Sequence, residues 1–486
     1  MSVRDRLPFR LDVDAPVPPL AELGRVHVLA VGGAGMSAVA RLLLDAGARV
    51  SGSDAKDGPV LDELRRRGAQ IWVGHDPAHV DGVDTVVVSS AIRDSNPELV
   101  AAREAGTRVL HRSQALAAAM GEQRRVAVAG ANGKTTTSSM LTSALLHLGA
   151  RPSFALGGEL ASQGTNAALG EGPDFVAEAD ESDGSFLVYH PDVAVVTNVQ
   201  ADHLDFYGDL ATVEQAYAEF ARTVRPGGLV VACADDPGSA RLADAVGDAG
   251  GAHPDRGQTT RVVTYGFSPD ADVRLADPVL EGHGARAQVA LEGVVHDLVL
   301  RVPGRHNLLN AAAALAAAVL GCGHDARAVL AGLADFAGTR RRFEVRGEVD
   351  GITVVDDYAH NPGKVSAVVA TASEIARPGR LLVIFQPHLY SRTADFATDF
   401  AAGLAPADDV VLLPIYGARE DPVFGVTSEV VAEPLRAAGR VVAVLEPEAA
   451  VAHVVARARP GDLVMTIGAG DVTALGAPVI EGLRQR

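Results

Sequence analysis

Gly130-Ala131-Asn132-Gly133-Lys134-Thr135-Thr136 packs two glycines, a lysine and two threonines into seven consecutive residues. Glycines let backbone N–H groups converge on a polyphosphate, the lysine adds a point charge, and the Thr135 hydroxyl can ligate Mg2+. An apolar run at 125–129 precedes this shortened GxxGKTT loop, and helical spacing follows it to Leu148. Strand, loop and helix in that order are the context a phosphate loop requires, so residues 130–136 are assigned to ATP. Glu178-Ala179-Asp180-Glu181-Ser182-Asp183 follows another strand, at 175–178, and Asp202-His203-Leu204-Asp205 follows one at 193–198. In a parallel sheet these strand ends share an edge with the phosphate loop. Glu178 is therefore a candidate for the second side of an ATP-bound metal, and His203 a candidate beside it. An acidic solvated loop and a structural histidine are the alternative readings.

A second glycine loop, Gly32-Gly33-Ala34-Gly35-Met36-Ser37, also joins a buried strand to a helix, with Asp54 placed 21 residues after Gly33. The pattern fits a dinucleotide fingerprint and by itself suggests a nicotinamide-linked oxidoreductase. Its physics is less selective, because a diphosphate at a helix N-terminus can belong to a UDP-sugar as well as to NAD. With an ATP loop further along the chain, a nucleotide-linked substrate is the better guest.

These loops need elements to hold them. The chain has 486 residues, which at roughly 150 per domain suggests about three domains. Apolar residues make up 48% of it, enough for several cores. Three restarts of a β-α-β rhythm are visible, near residues 26, 125 and 340, each with one strand leading into a glycine loop, the last at Gly468-Ala469-Gly470. The first twenty-odd residues read as a loose arm, and residues 262–302 as an antiparallel patch in the middle segment. The expected fold is α/β with a largely parallel sheet in each of three domains. A net charge of −18 argues against a general nucleic-acid or anionic-membrane binder. Two distant cysteines, Cys233 and Cys322, offer neither a disulfide framework nor a zinc ribbon. The longest apolar stretch, 311–322, falls short of the roughly 20 residues a membrane span needs. The opening residues lack the apolar core of a secretory signal, so a cytoplasmic protein is expected.

Taken together the motifs resemble the Mur ligase family of ATP-dependent amide-bond-forming enzymes. The matching segments are Gly32 to Ser37, Gly133-Lys134-Thr135-Thr136-Thr137, Ala177 to Asp183, Gly304-Arg305-His306-Asn307-Leu308-Leu309-Asn310, Arg341-Arg342-Phe343, Asp356-Asp357-Tyr358-Ala359-His360, Phe385-Gln386-Pro387-His388 and Tyr390-Ser391-Arg392-Thr393. The resemblance implies a Rossmann-like UDP-substrate domain at 25–123, a P-loop ATP-binding domain at 124–338 and a Rossmann-like carboxy-terminal domain at 339–486, after an arm at 1–24. It implies that the lactyl carboxylate of UDP-N-acetylmuramate attacks the γ-phosphate of ATP, and that L-alanine then attacks the acyl phosphate.

Carried onto this chain, the resemblance gives Lys134, Glu178, His203, Arg341 and His360 catalytic roles and places Mg2+ on Thr135, Glu178 and His203. His306, Asn310 and Arg341 join the ATP loop, with Arg341 reaching phosphate from the start of the third domain. Gly32, Gly33, Ala34, Gly35, Met36, Ser37, Ser53, Asp54, Ser89 and Ser90 bind the UDP-substrate, and Tyr358, His360, His388 and Arg392 the amino acid. Three positions depart from the family: Asn132 and Asn361 stand where histidine is usual, and Leu389 where arginine is common. A related ligase that attaches a tripeptide to the same sugar nucleotide, an NAD-linked dehydrogenase and a non-enzymatic nucleotide-binding regulator are the rival readings. Monomer and homodimer are both open.

Overall fold

A computed structural model describes residues 3–7, 11–248, 260–281, 284–418 and 420–486, the side chains of residues 205, 248 and 281 excepted. The chain forms two compact units. One is built from residues up to 337 and the other from 338 onward together with the short segments 280–284 and 302–306. Three sheets carry the architecture, two in the first unit and one in the second.

The first sheet has five parallel strands in the order Gln70–Val73, Arg49–Asp54, Arg25–Leu29, Thr85–Val88, Arg108–His111. Val26, Val28 and Leu29 are completely buried, as expected of a strand covered on both faces. Strand order reverses beside Arg25–Leu29, so the glycine loop that follows it sits at a topological switch point. The edge strand Gln70–Val73 carries no long apolar run and is half exposed, which is why its sequence does not announce it.

The second sheet has ten strands. At its centre Arg124–Ala129 lies between Asp174–Glu178 and Val193–Val196, all parallel. This order, and not proximity in sequence, brings the phosphate loop, the acidic loop and the histidine loop together. The expected antiparallel patch holds only in part. Arg261–Gly266 and Val273–Glu281 pair in parallel, and the antiparallel hairpin is Gly284–Leu291 with Val294–Leu300. Its turn residues Glu292 and Gly293 both have positive φ, 48° and 81°, the geometry of a tight hairpin.

The expectation of a loose amino-terminal arm is corrected. Val3, Leu7, Leu11 and Val13 are buried in the same apolar core as Phe186, Tyr217 and Phe220. Apolar residues spaced among charges and prolines carry no helical or strand period, so burial there leaves no periodic trace.

In the second unit the order is Glu344–Val349, Ile352–Asp357, Leu463–Ile467, Leu381–Phe385, Asp409–Leu412, Val442–Val444, parallel except for the first pair. The loops after Asp357, Phe385 and Ile467 therefore leave three adjacent strands on one edge.

Candidate functional site

Gly130 has φ 137°, and a Cβ there would fall 1.9 Å from Thr197 Oγ1. Gly133, the residue before the helix Lys134–His147, has φ 88°. Only glycine meets both demands. The Asn132 backbone is fixed from the neighbouring strand end. Its N–H donates to Asn198 Oδ1 (2.9 Å), and its carbonyl accepts from Thr197 Oγ1 (2.6 Å) and Asn198 Nδ2 (2.8 Å). The Asn132 side chain donates to Gln200 Oε1 (3.2 Å). Asn310 is buried against the loop: it accepts from Thr137 Oγ1 (3.2 Å), and a Cβ on Gly133 would approach its Oδ1 to 2.6 Å. His306, one turn earlier at the start of the helix Arg305–Ala316, is exposed.

Lys134 Nζ donates to Gly130 O (2.6 Å) and to Glu181 Oε1 (2.8 Å). Burial opposes its charge, but Glu181, Glu178 and Asp180 outweigh burial and hold its pKa above the ordinary lysine value. His203 Nε2 lies 3.8 Å from the same Glu181 oxygen and 3.9 Å from Asp202. Glu178 accepts the Gly157 N–H (2.8 Å). Thr135 is buried in the first turn of the helix. The structure thus places Glu181 beside Lys134 and His203, with Glu178 close to Lys134.

The other Glu181 oxygen, Oε2, is buried without a hydrogen-bond partner. Three carboxylates around one lysine, with an acceptor to spare, suit a hard divalent cation and would repel a polyphosphate arriving without one. Among the described residues no three or more histidine, cysteine or acidic side chains form a ready-made metal cage.

The amino-terminal glycine loop adjoins the acidic loop. Gly32 N–H donates to Asp54 Oδ2 (2.9 Å), so this carboxylate shapes the loop itself. Gly33 precedes the helix Ala34–Asp45, and a Cβ on Gly35 would come within 2.9 Å of Arg112 Nη1. Arg112 in turn donates to Asp180 Oδ2 (2.5 Å). Burial opposes both charges, yet Arg112 holds the Asp180 carboxyl well below the usual range, and Asp180 and Asp183 raise Arg112. Four residues assigned to UDP-substrate binding make contacts inside the protein in this structure. Met36 is buried, and the buried Ser37 hydroxyl donates to Ala34 O (3.1 Å). Ser53 donates to Glu98 Oε2 (2.6 Å), and Ser90 to Asp183 beside His111 (3.1 Å). Ser89 remains half-buried at the strand end.

In the second unit Arg341 Nη2 donates to Gly468 O (2.6 Å), and the guanidinium stands 4.8 Å from the Tyr358 ring centre and near Asp356 (3.5 Å). The Tyr358, His360 and His388 rings follow one another at 5.1 and 5.9 Å. His360 Nδ1 lies 3.0 Å from Tyr358 O, which can only accept, so this nitrogen carries the proton and Nε2 is left as an acceptor. Burial, then the charges of Lys364, Arg392 and Arg342, keep its pKa well below the ordinary histidine value. Among the ion pairs of the described residues there is none between Arg392 and Asp395, the partner that helical spacing offers. Asn361 caps the helix Pro362–Ala376 through Lys364 N–H (2.8 Å). Leu389 has φ 70° and Arg341 φ 59°, conformations that L residues hold only where surroundings enforce them.

Sequence reasoning passed over Glu181, Arg112, Thr197, Asn198 and Glu98. The first sits within a quoted acidic run and Asn198 at a strand end already named, so both were within reach. Nothing local distinguishes Arg112 or Glu98.

Models of three domains match the chain in order: "Mur ligase family, catalytic domain" over residues 25–124, "Mur ligase middle domain" over 128–318 and "Mur ligase, glutamate ligase domain" over 341–470. A UDP-N-acetylmuramate–L-alanine ligase of Kineococcus radiotolerans is 54% identical over 97% of this chain and 99% of its own. One from Acidothermus cellulolyticus is 51% identical over 96% and 97%. Among solved structures, the UDP-N-acetylmuramate–alanine ligase of Thermotoga maritima superposes with a TM-score of 0.78 at 30% identity, covering 95% of this chain and 99% of that one. A murein peptide ligase from Psychrobacter arcticus shares the fold at TM-score 0.70 and 24% identity, over 95% and 99%.

Proposed function

Because the chain belongs to the Mur ligase family, we propose that it joins L-alanine to UDP-N-acetylmuramate with hydrolysis of ATP to ADP and phosphate, in the synthesis of peptidoglycan precursors. The observation that carries the chemistry is the phosphate loop whose lysine lies among Glu178, Asp180 and Glu181 with His203 alongside. The identity of the relatives over nearly their whole length supports L-alanine as the amino acid. The domains are taken as 25–123, 124–338 and 339–486. A cytoplasmic setting fits the substrates, and among the described residues no helix is long and apolar enough to cross a membrane.

In this reading the lactyl carboxylate attacks the γ-phosphorus, the bond to the bridging oxygen breaks, and ADP leaves. The amine of L-alanine attacks the acyl carbon, phosphate departs with the bonding pair, and a proton is lost from nitrogen. Two anions meet in the first step, so the protein must supply positive charge where negative charge develops on the transferring phosphoryl group. Lys134 and the N–H groups of residues 130–136 do this and align the triphosphate. Thr135, Glu178 and His203 would hold Mg2+, which would supply electrostatic stabilisation of the phosphate oxygens. Gly32 to Gly35 receive the UDP diphosphate on a helix N-terminus, with Arg112 at hand. Neutral His360, with Nε2 open, can accept a proton from the amine, and Tyr358 and His388 shape the pocket around it.

Arg392 grips the L-alanine carboxylate, because a guanidinium fork matches a carboxylate in two parallel hydrogen bonds where an ammonium cannot. Arg392→Lys is expected to raise KM for L-alanine by about 10-fold, one lost charged hydrogen bond, and to leave KM for ATP unchanged. Steady-state ADP release over a series of alanine concentrations reads both, and two wild-type constants would place the carboxylate elsewhere.

ADP release in the presence of UDP-N-acetylmuramate, measured across glycine, L-serine, L-alanine and a tripeptide, tests the reaction itself. Strict dependence on L-alanine is expected. Turnover with the tripeptide alone would assign the chain to the peptide-adding branch. A nicotinamide absorbance change without ADP release would overturn ligase function.

A further inference from the structure

We propose that the amino-terminal arm is a positioning element of the nucleotide site, with Arg6 holding the loop that presents His203; this rests on the role given to His203 above. His203 has φ 53°, in the left-handed region, and precedes the single-turn helix Leu204–Tyr207. Its carbonyl accepts the N–H groups of Phe206 (2.9 Å) and Tyr207 (3.0 Å). A helix this short leaves its last carbonyls without intrahelical partners. Arg6 takes two of them: Nη1 donates to Phe206 O (2.8 Å) and to Tyr207 O (2.7 Å), across 200 residues of sequence.

The rest of the arm is anchored at the same place. Leu7 lies where a Cβ on Gly184, just past the acidic loop, would come within 2.8 Å of its Cδ2, and the next group met there is the Phe206 ring at 3.5 Å. Val3, Leu7, Leu11 and Val13 share one core with Tyr207. His190 Nε2 lies 2.9 Å from Val13 O. Tyr207 completes the link, its hydroxyl donating to the backbone carbonyl of Glu181, the residue that pairs with Lys134 (2.5 Å). One side of the loop thus meets the backbone of Glu181 and the other side the arm. Arg4 differs, pairing with the exposed Asp14 and with Glu219 and not with the carbonyls of this loop.

An anchor that only stabilised the fold would affect every kinetic constant and every amide alike. A positioning residue acts on one loop and one step. Three full-length variants separate the two, Arg6→Ala, Arg6→Lys and Arg4→Ala. Hydrogen exchange of the Phe206, Tyr207 and Gly208 amides is measured in nucleotide-free enzyme, and is expected to speed up about 10-fold in Arg6→Ala with the sheet amides unchanged. A loop displaced by a fraction of an ångström misaligns reacting groups, so kcat is expected to fall at least about 10-fold with KM for UDP-N-acetylmuramate within about 2-fold. Arg6→Lys, which can still donate to the two carbonyls, should recover part of both effects, and Arg4→Ala should show neither. Wild-type exchange at 206–208 in Arg6→Ala, or loss spread evenly over all constants and all amides, overturns the inference. His203→Ala in parallel isolates the premise. If it leaves kcat intact, the role of His203 falls and the arm's catalytic role falls with it. If it lowers kcat and Arg6→Ala does not, only the arm's role is lost.

Discussion

Lys134→Ala is expected to lower kcat by on the order of 10²–10³-fold, the effect of removing one preorganised donor from a developing charge. The structure adds a second consequence. Glu181 is almost fully buried, and Lys134 is its closest countercharge, so the variant leaves that carboxylate uncompensated. Breaking a buried pair from one side costs about 3–5 kcal/mol, so stability falls along with activity. The double variant Lys134→Ala/Glu181→Ala separates the two effects, because it removes the stranded charge without restoring the cation. Thermal stability should return most of the way in the double variant while turnover stays low. Near-normal turnover in either variant would overturn the assignment of residues 130–136 to ATP.

The second large effect lies away from the chemistry, at Glu98. Its carboxylate is completely buried and meets Ser53 Oγ (2.6 Å), His75 Nδ1 (2.7 Å), His79 Nδ1 (2.7 Å) and His27 Nε2 (3.5 Å). Burial alone would raise its pKa. The hydrogen bonds from His27, Ser53, His79 and His75 outweigh burial and bring it down to about 2. A carboxyl whose pKa is lower in the folded than in the unfolded chain adds stability above its unfolded value near 4.5, and that stability is lost as pH falls toward 2. The gap corresponds to at most about 3 kcal/mol.

Glu98→Ala strands three imidazoles and a hydroxyl in the interior, and is expected to cost about 3–5 kcal/mol at neutral pH. Glu98→Gln keeps the shape, turns one acceptor oxygen into a donor amide, removes the titrating group, and should flatten the acid limb between pH 4.5 and 2. The chain has one tryptophan, Trp72, stacked on His79 with ring centres 4.4 Å apart, so its fluorescence reports unfolding at this cluster. Wild-type urea midpoints and an unaltered acid limb in both variants would show that the cluster contributes nothing.

Asn361 shows how a departure from a family pattern can be absorbed. Its side chain caps the helix that opens at Pro362, accepting from Lys364 N–H. Asparagine is among the best residues for that duty, so local structure is preserved with the histidine gone.

The phosphate loop was legible in the sequence because it is contiguous: strand, two glycines, Lys134-Thr135 and helix are one local segment, and each part demands its own residue types. Long apolar runs such as 26–31, 193–198 and 381–385 marked buried parallel strands for the same reason. The β-α-β restarts then gave the fold class and the edge on which the loops gather. Short or edge strands such as Gln70–Val73 and Val442–Val444 escaped because half-exposed segments of three or four residues leave no periodic signal. What only the tertiary structure decided is which groups meet across that edge. Glu181 pairs with Lys134, Arg112 stands over Gly35, Ser53 serves Glu98, and Arg6 closes the His203 loop. These pairs are 45 to 201 residues apart, with Lys134 and Glu181 separated by 47. Their meeting depends on strand order, with Arg124–Ala129 placed between Asp174–Glu178 and Val193–Val196, and on side-chain direction at each loop. Local periodicity reports which face of an element is buried; it holds no information about which distant element will be laid against that face.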